Sequence, residues 1–184
     1  LRGDKSEATL KIKNYHQYDN VKYTIAFKHI DKKMDIHPLK FQVRENLQDL
    51  NWKLYSLYSI KSPECLKENH KIDSKIKEFG DYLVWIKNLP HFLKLVENKL
   101  KDLNLEHQKG IVSYYDRDKY NGELSPFQKP LEFEYQQEYR VVVKSELTHP
   151  LKINIGSMKD YAELHPIEVL ETLKIEVNTQ YNNA

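Results

Sequence analysis

The stretch LEFEYQQEYRVVV, Leu131 to Val143, decides how this chain is read. Taken as one extended strand, it sends Phe133, Tyr135, Gln137, Tyr139, Val141 and Val143 to one face. Glu132, Glu134, Gln136, Glu138 and Arg140 go to the other. Neighbours on one face then stand about 6–7 Å apart. The aromatic and valine face is expected to be buried. The row of acid, amide and guanidinium groups is expected to be the open face of a sheet or the wall of a cleft. Phe127-Gln-Lys-Pro130 leads into this strand, and Leu151–Ile155 reads as a second strand after a turn.

Upstream, Val21, Tyr23, Ile25 and Phe27 alternate with polar residues, the mark of a half-buried strand. Thr9–Lys13, Leu39–Val43, Tyr82–Ile86 and Ile111–Tyr115 read as further strands. Asp31-Lys32-Lys33 reads as a turn, and Trp52–Ile60 as a buried strand. Leu173, Ile175 and Val177 close the series. Leu89–Leu103 reads as a helix. Asn88 caps it, Pro90 lies in its first turn, and Leu89, Phe92, Leu93, Val96, Leu100 and Leu103 form one apolar stripe. Ile72, Ile76 and Phe79, stopped by Gly80, suggest a helix after Pro63. Ser157–Leu164 has capping-box spacing, and Pro166 opens a further helical turn. Asp116–Pro126, with Asn121-Gly122, reads as a polar loop. Strands outnumber helices, and few strand pairs have a helix between them. The expectation is a single α+β domain over 1–177, with a mixed or largely antiparallel sheet and two to four helices, then a frayed tail over 178–184.

A length of 184 residues with 40% hydrophobic content suffices for one sizeable core. A net charge of +2 lacks the basic excess of a dedicated nucleic-acid binder. Cys65 is the one cysteine, so no internal disulfide forms and a cytoplasmic location is expected. No apolar run approaches the roughly 18–20 residues needed to span a bilayer, so no membrane partner is expected. With only 5 glycines, no phosphate loop or dinucleotide fingerprint is present. The chain opens on Leu1 rather than Met, and residues upstream are expected to complete any site.

Three further groupings have chemical meaning. Tyr114, Tyr115, Arg117, Lys119 and Tyr120 interleave rings and cations around a loop, as a surface for a protein or nucleic-acid partner does. Asp81, Glu134 and Glu138 with Lys129 are the residue types of a metal-dependent nuclease. The eight histidines have no helical zinc spacing, and one cysteine cannot build a thiolate cluster, so no metal site is expected.

Phe127-Gln-Lys129, Tyr135-Gln136-Gln-Glu138-Tyr-Arg140 and Ile155-Gly156-Ser157 together resemble a pattern of uncharacterised bacterial and phage proteins. Gly3-Asp4-Lys-Ser-Glu7 and Phe79-Gly80-Asp81 fit the same pattern. The resemblance implies a domain of mobile elements or phage-related gene neighbourhoods. A second resemblance is to ADP-ribosyltransferases of the Arg–Ser–Glu type, carried by Arg2, then Ser56 and Ser59, then Gln136-x-Glu138. It implies Glu138, Gln136, Ser56 and Arg2 as catalytic residues, Arg140 and Ser59 as cofactor-binding residues, and NAD as the cofactor. The alternative is a non-catalytic interaction module, in which Glu138 and Arg140 form an ion pair on a solvated sheet.

Overall fold

The computed structural model describes residues 9–16, 19, 22–26, 29, 32–36, 39–46, 52–60, 72–147 and 149–173. In chain order the strands are β1 (Thr9–His16), β2 (Tyr23–Ala26), β3 (Lys33–Ile36), β4 (Lys40–Asn46), β5 (Trp52–Tyr58) and β6 (Tyr82–Ile86). They continue as β7 (His107–Ile111), β8 (Ser113–Tyr115), β9 (Gly122–Glu123), β10 (Gln128–Pro130), β11 (Glu138–Lys144) and β12 (Ala162–Pro166). One α-helix, α1 (Leu89–Asp102), and the 3₁₀ segments Ser74–Phe79, Leu131–Gln136 and Ile167–Glu171 complete the described elements. The fold is α+β, and among the described residues every strand pair is antiparallel except β8 with β10. Among the described residues no helix is long and apolar enough to cross a membrane.

Within this architecture the chain forms two compact units, 1–50 with 113–131 and 51–112 with 132–184. In the first, β1 lies between β4 and β9, β2 pairs with β3, and β8 with β10. Ile12 and Asn14 are its buried residues on the central part of β1, two positions apart on one face. Asn14 Nδ2 donates to the carbonyls of Arg117 (2.8 Å) and Tyr120 (2.9 Å), and its Oδ1 accepts from Gln42 Nε2 at 2.8 Å. A buried amide with its groups paired in this way orders the 116–121 loop rather than weakening the unit.

In the second unit β11 is the middle strand, flanked by β5 and β7, and β6 pairs with β12. The Val141 and Val143 face of β11 packs with Phe92, Leu93, Val96 and Leu100 of α1 and with Tyr161. Burial of each such side chain contributes roughly 1.5–3 kcal/mol. The α1 boundaries follow from local chemistry: Asn88 Oδ1 accepts from His91 N at 3.1 Å, and Pro90 needs no partner for a donor it lacks. Lys109 of β7 forms an ion pair with Glu97 of α1.

The structure corrects several expectations. Leu131–Gln136 is a 3₁₀ segment, not the start of a strand. Gln137 N bonds the Glu134 carbonyl at 3.0 Å, and Gln137 then adopts a left-handed φ of 39°, so the strand begins only at Glu138. The β-branched run that favours a pleated strand also begins late, at Val141. Trp52–Tyr58 is a half-exposed strand rather than a buried one, and among the described residues only β11 pairs with it. Leu151–Ile155 alternates in burial but pairs with no strand among the described residues. The helix expected at Ser157–Leu164 is a single turn, with Met158 O accepting from Tyr161 N and Ala162 N. Ala162 to Pro166 then pairs with β6. Ile111–Tyr115 breaks at Val112 into β7 and β8. The helical stretch following Pro63 lies outside the described residues up to 71, as do Ile175 and Val177 and the tail.

Two outcomes follow for this core. Val96→Asp places an unpaired charge where the side chain is 6% exposed, and is expected to lower stability by about 3 kcal/mol or more in chemical denaturation. The Lys109 ammonium holds the Glu97 carboxyl below the usual carboxylate range. A depressed carboxyl contributes stability above its unfolded pKa, and that contribution disappears as pH falls through the folded value. Lys109→Met should therefore cost a small, salt-sensitive amount at neutral pH. The gap to the parent should close on acidification, as read from melting temperatures between pH 7 and 3.

Candidate functional site: a buried glutamate–arginine pair on the central strand

Glu138 and Arg140 stand two residues apart on one face of β11, and the face expected to be open is buried: Glu138 is 6% exposed and Arg140 1%. Tyr139, on the face expected to be the buried one, is only half-buried. Alternation was read correctly, but both faces of β11 are covered, so polarity did not mark the wet side. Arg140 Nε meets Glu138 Oε2 at 2.6 Å. Ser56 Oγ donates to the same oxygen at 2.8 Å.

Register explains the convergence. Ser56 of β5 is the partner of Arg140, and Tyr58 is the partner of Glu138, so Ser56 lies diagonally across from the carboxylate. On the other side Arg140 faces Gly110 of β7, which brings no side chain to compete for the space of the guanidinium. Burying either charge alone would cost several kcal/mol; the pair neutralises itself, and the serine adds a donor to the carboxylate. Arranged so, the group is a fixed negative oxygen with a hydroxyl and a guanidinium beside it. Such a group can stabilise positive charge that develops on a substrate.

Of the residues proposed from sequence, Ser56, Glu138 and Arg140 come together. Gln136 does not share the strand face of Glu138: it belongs to the 3₁₀ segment, is buried, and donates from Nε2 to Tyr135 Oη at 3.1 Å. Ser59 lies just past the end of β5, where its N–H bonds the Gln137 carbonyl at 2.7 Å. Arg2 lies outside the described residues, as does Cys65. Among the described residues no cluster of three or more His, Cys, Asp or Glu side chains is placed to hold a metal ion, which leaves the nuclease arrangement of Asp81, Glu134 and Glu138 without a described centre. In the first unit the Tyr and Arg loop is held inward in part. Tyr115 is buried, its ring 4.9 Å from that of Tyr120.

The sequence reading paired Glu138 with Arg140 on a solvated sheet, and what it missed is the burial of that pair. The transferase resemblance, by contrast, took Arg140 for a cofactor-binding group and looked to Arg2 for the catalytic arginine. The signal available was the Glu-x-Arg spacing, which in a strand puts both groups on one face. It also missed an apolar cleft of about 330 Å³ on the opposite face of β11. No family model, curated protein or solved structure matches the chain.

The pair makes a sharp stability prediction. Glu138→Gln removes the carboxylate charge bonded to a buried guanidinium and is expected to cost about 3–5 kcal/mol. Ser56→Ala removes one hydrogen bond at an exposed residue and should cost about 1 kcal/mol. The double change Glu138→Gln with Arg140→Met should recover much of the loss of the single change, as read from urea midpoints. Equal midpoints for Glu138→Gln and the parent would show that the pair is not buried in solution.

Proposed function

We propose that the Ser56–Glu138–Arg140 group belongs to an ADP-ribosyltransferase-like site acting on NAD⁺. The observation that carries this reading is the convergence of a serine and an arginine on one glutamate oxygen, at 2.8 and 2.6 Å. In this chemistry the bond between the ribose C1′ and the nicotinamide nitrogen breaks. Its electron pair leaves with neutral nicotinamide. A nucleophilic oxygen or nitrogen of the acceptor then bonds to C1′ and releases its proton. Glu138 would stabilise the oxocarbenium-like charge on the ribose, with Ser56 and Arg140 fixing the carboxylate. Gln136, Ser59 and Arg2 keep their proposed roles only through the resemblance.

A non-catalytic interaction module is the second reading, favoured by the 6% exposure of Glu138, which leaves little of the carboxylate open to a substrate. In that reading the pair is a structural element of the strand, and the bound partner is a protein or nucleic acid. Calorimetry with NAD⁺, alongside chromatographic detection of released nicotinamide, separates the two. The transferase reading expects binding, slow nicotinamide release, and a loss of about 10²-fold in turnover for Ser56→Ala, whose fold is little affected. Absence of binding at millimolar NAD⁺ by the folded chain would remove it and leave the interaction module.

A further inference from the structure

On the α1 side of β11 the second unit holds an apolar cleft of about 330 Å³. Its floor is Val141 and Val143, one wall is α1, and the other is the 151–158 segment with Ile153. That volume lies at the lower end of the roughly 300–1,000 Å³ typical of small-ligand sites. Two polar groups interrupt the apolar lining. Lys53 and Tyr55 are next-but-one neighbours on one face of β5, so they stand about 6–7 Å apart. Among the described residues Lys53 is the one charged residue lining the cleft, and no acid accompanies it. Among the described residues neither its ammonium nor the Tyr55 hydroxyl has a hydrogen-bond or ion-pair partner. Tyr55 is 49% exposed, which puts it at the mouth of the cleft, and burial of its ring pushes the phenol up, so it remains a neutral donor at neutral pH. An apolar trough with a cation and a phenolic donor on one rim is complementary to a molecule with an aliphatic tail and an anionic head.

We propose that this cleft binds an unbranched aliphatic carboxylate, with its chain against the valines and α1 and its carboxylate on Lys53 Nζ and the Tyr55 hydroxyl. The site lies on the face of β11 opposite Glu138 and is independent of the transferase reading. Sodium decanoate, titrated below its micellar concentration into the full chain and followed by calorimetry, tests it, with decan-1-ol as the uncharged comparison. Decanoate should bind at one site per chain. Lys53→Met should weaken decanoate about tenfold and leave decan-1-ol unchanged. Ile153→Trp, which fills the cleft, should abolish binding of both, with a thermal melt to check the fold. If Ile153→Trp fails to fold, Lys53→Met decides alone. No decanoate binding at millimolar concentration overturns the proposal, as does equal decanoate affinity for parent and Lys53→Met. A parent dimer that Ile153→Trp dissociates overturns it too, because a second copy of the chain would then be the occupant.

Discussion

The second unit depends on a charged pair tolerated inside its central strand. β11 has neighbours on both edges and cover on both faces, so every side chain along Glu138–Val143 has to be accommodated away from water or half so. Val141, Val142 and Val143 meet that demand with apolar area. Glu138 and Arg140 meet it by neutralising each other at 2.6 Å, with Ser56 supplying a further donor and Gly110 leaving space. Removal of either charge takes this partner from the other in a low-dielectric setting, where the cost is largest. Buried pairs of this kind seldom add stability compared with apolar residues of similar volume. Their presence in a strand otherwise built of valines therefore points toward a role for the carboxylate or the guanidinium other than stability.

Much of the fold was legible in local chemistry. α1 was legible because its cap, its proline and its apolar stripe all agree on the same boundaries, and consistency among independent signals is what makes a local prediction hold. β1, β4, β6 and the core of β2 were legible from alternation or from short apolar runs. The failures have two causes. Leu131–Gln136 alternates polar and apolar residues as a strand does, yet it closes into a 3₁₀ segment of six residues, whose three-residue turn does not follow that period. Leu151–Ile155 and Ser157–Leu164 were misread for the complementary reason: which segment pairs with β6 is settled by tertiary packing, and the partner turned out to be Ala162–Pro166.

The site was legible in membership more than in geometry. Chain order placed Ser56 and Glu138 as partners, and the structure joins them through a diagonal contact between β5 and β11. The burial of the pair was not legible. Alternation states which residues share a face, but it does not state what covers that face. A row of acid, amide and arginine normally faces water because unpaired charges cannot be buried. Here the charges are paired along the same strand, so the usual inference from polarity to exposure fails. Gln136 failed differently. The left-handed turn at Gln137 breaks the period between it and Glu138, so the Gln-x-Glu spacing does not put both side chains on one strand face.

The same strand separates two kinds of chemistry by a distance of one residue. Odd-numbered Val141 and Val143 floor an apolar cleft, while even-numbered Glu138 and Arg140 form a polar centre on the other side. A pleated strand insulates these faces from each other, because neither set of side chains reaches through the backbone sheet. Substitutions at Lys53 or Ile153 alter only the valine side, and Ser56 alters only the carboxylate side. The two faces are nonetheless linked through global stability. A ligand held in the cleft stabilises the folded state by mass action, and so raises the tolerance for a weakened pair on the opposite face without touching it. Rescue of a destabilised Glu138 variant by a cleft ligand would thus be thermodynamic linkage, and only a change in the chemistry of the carboxylate itself would show that the two faces communicate.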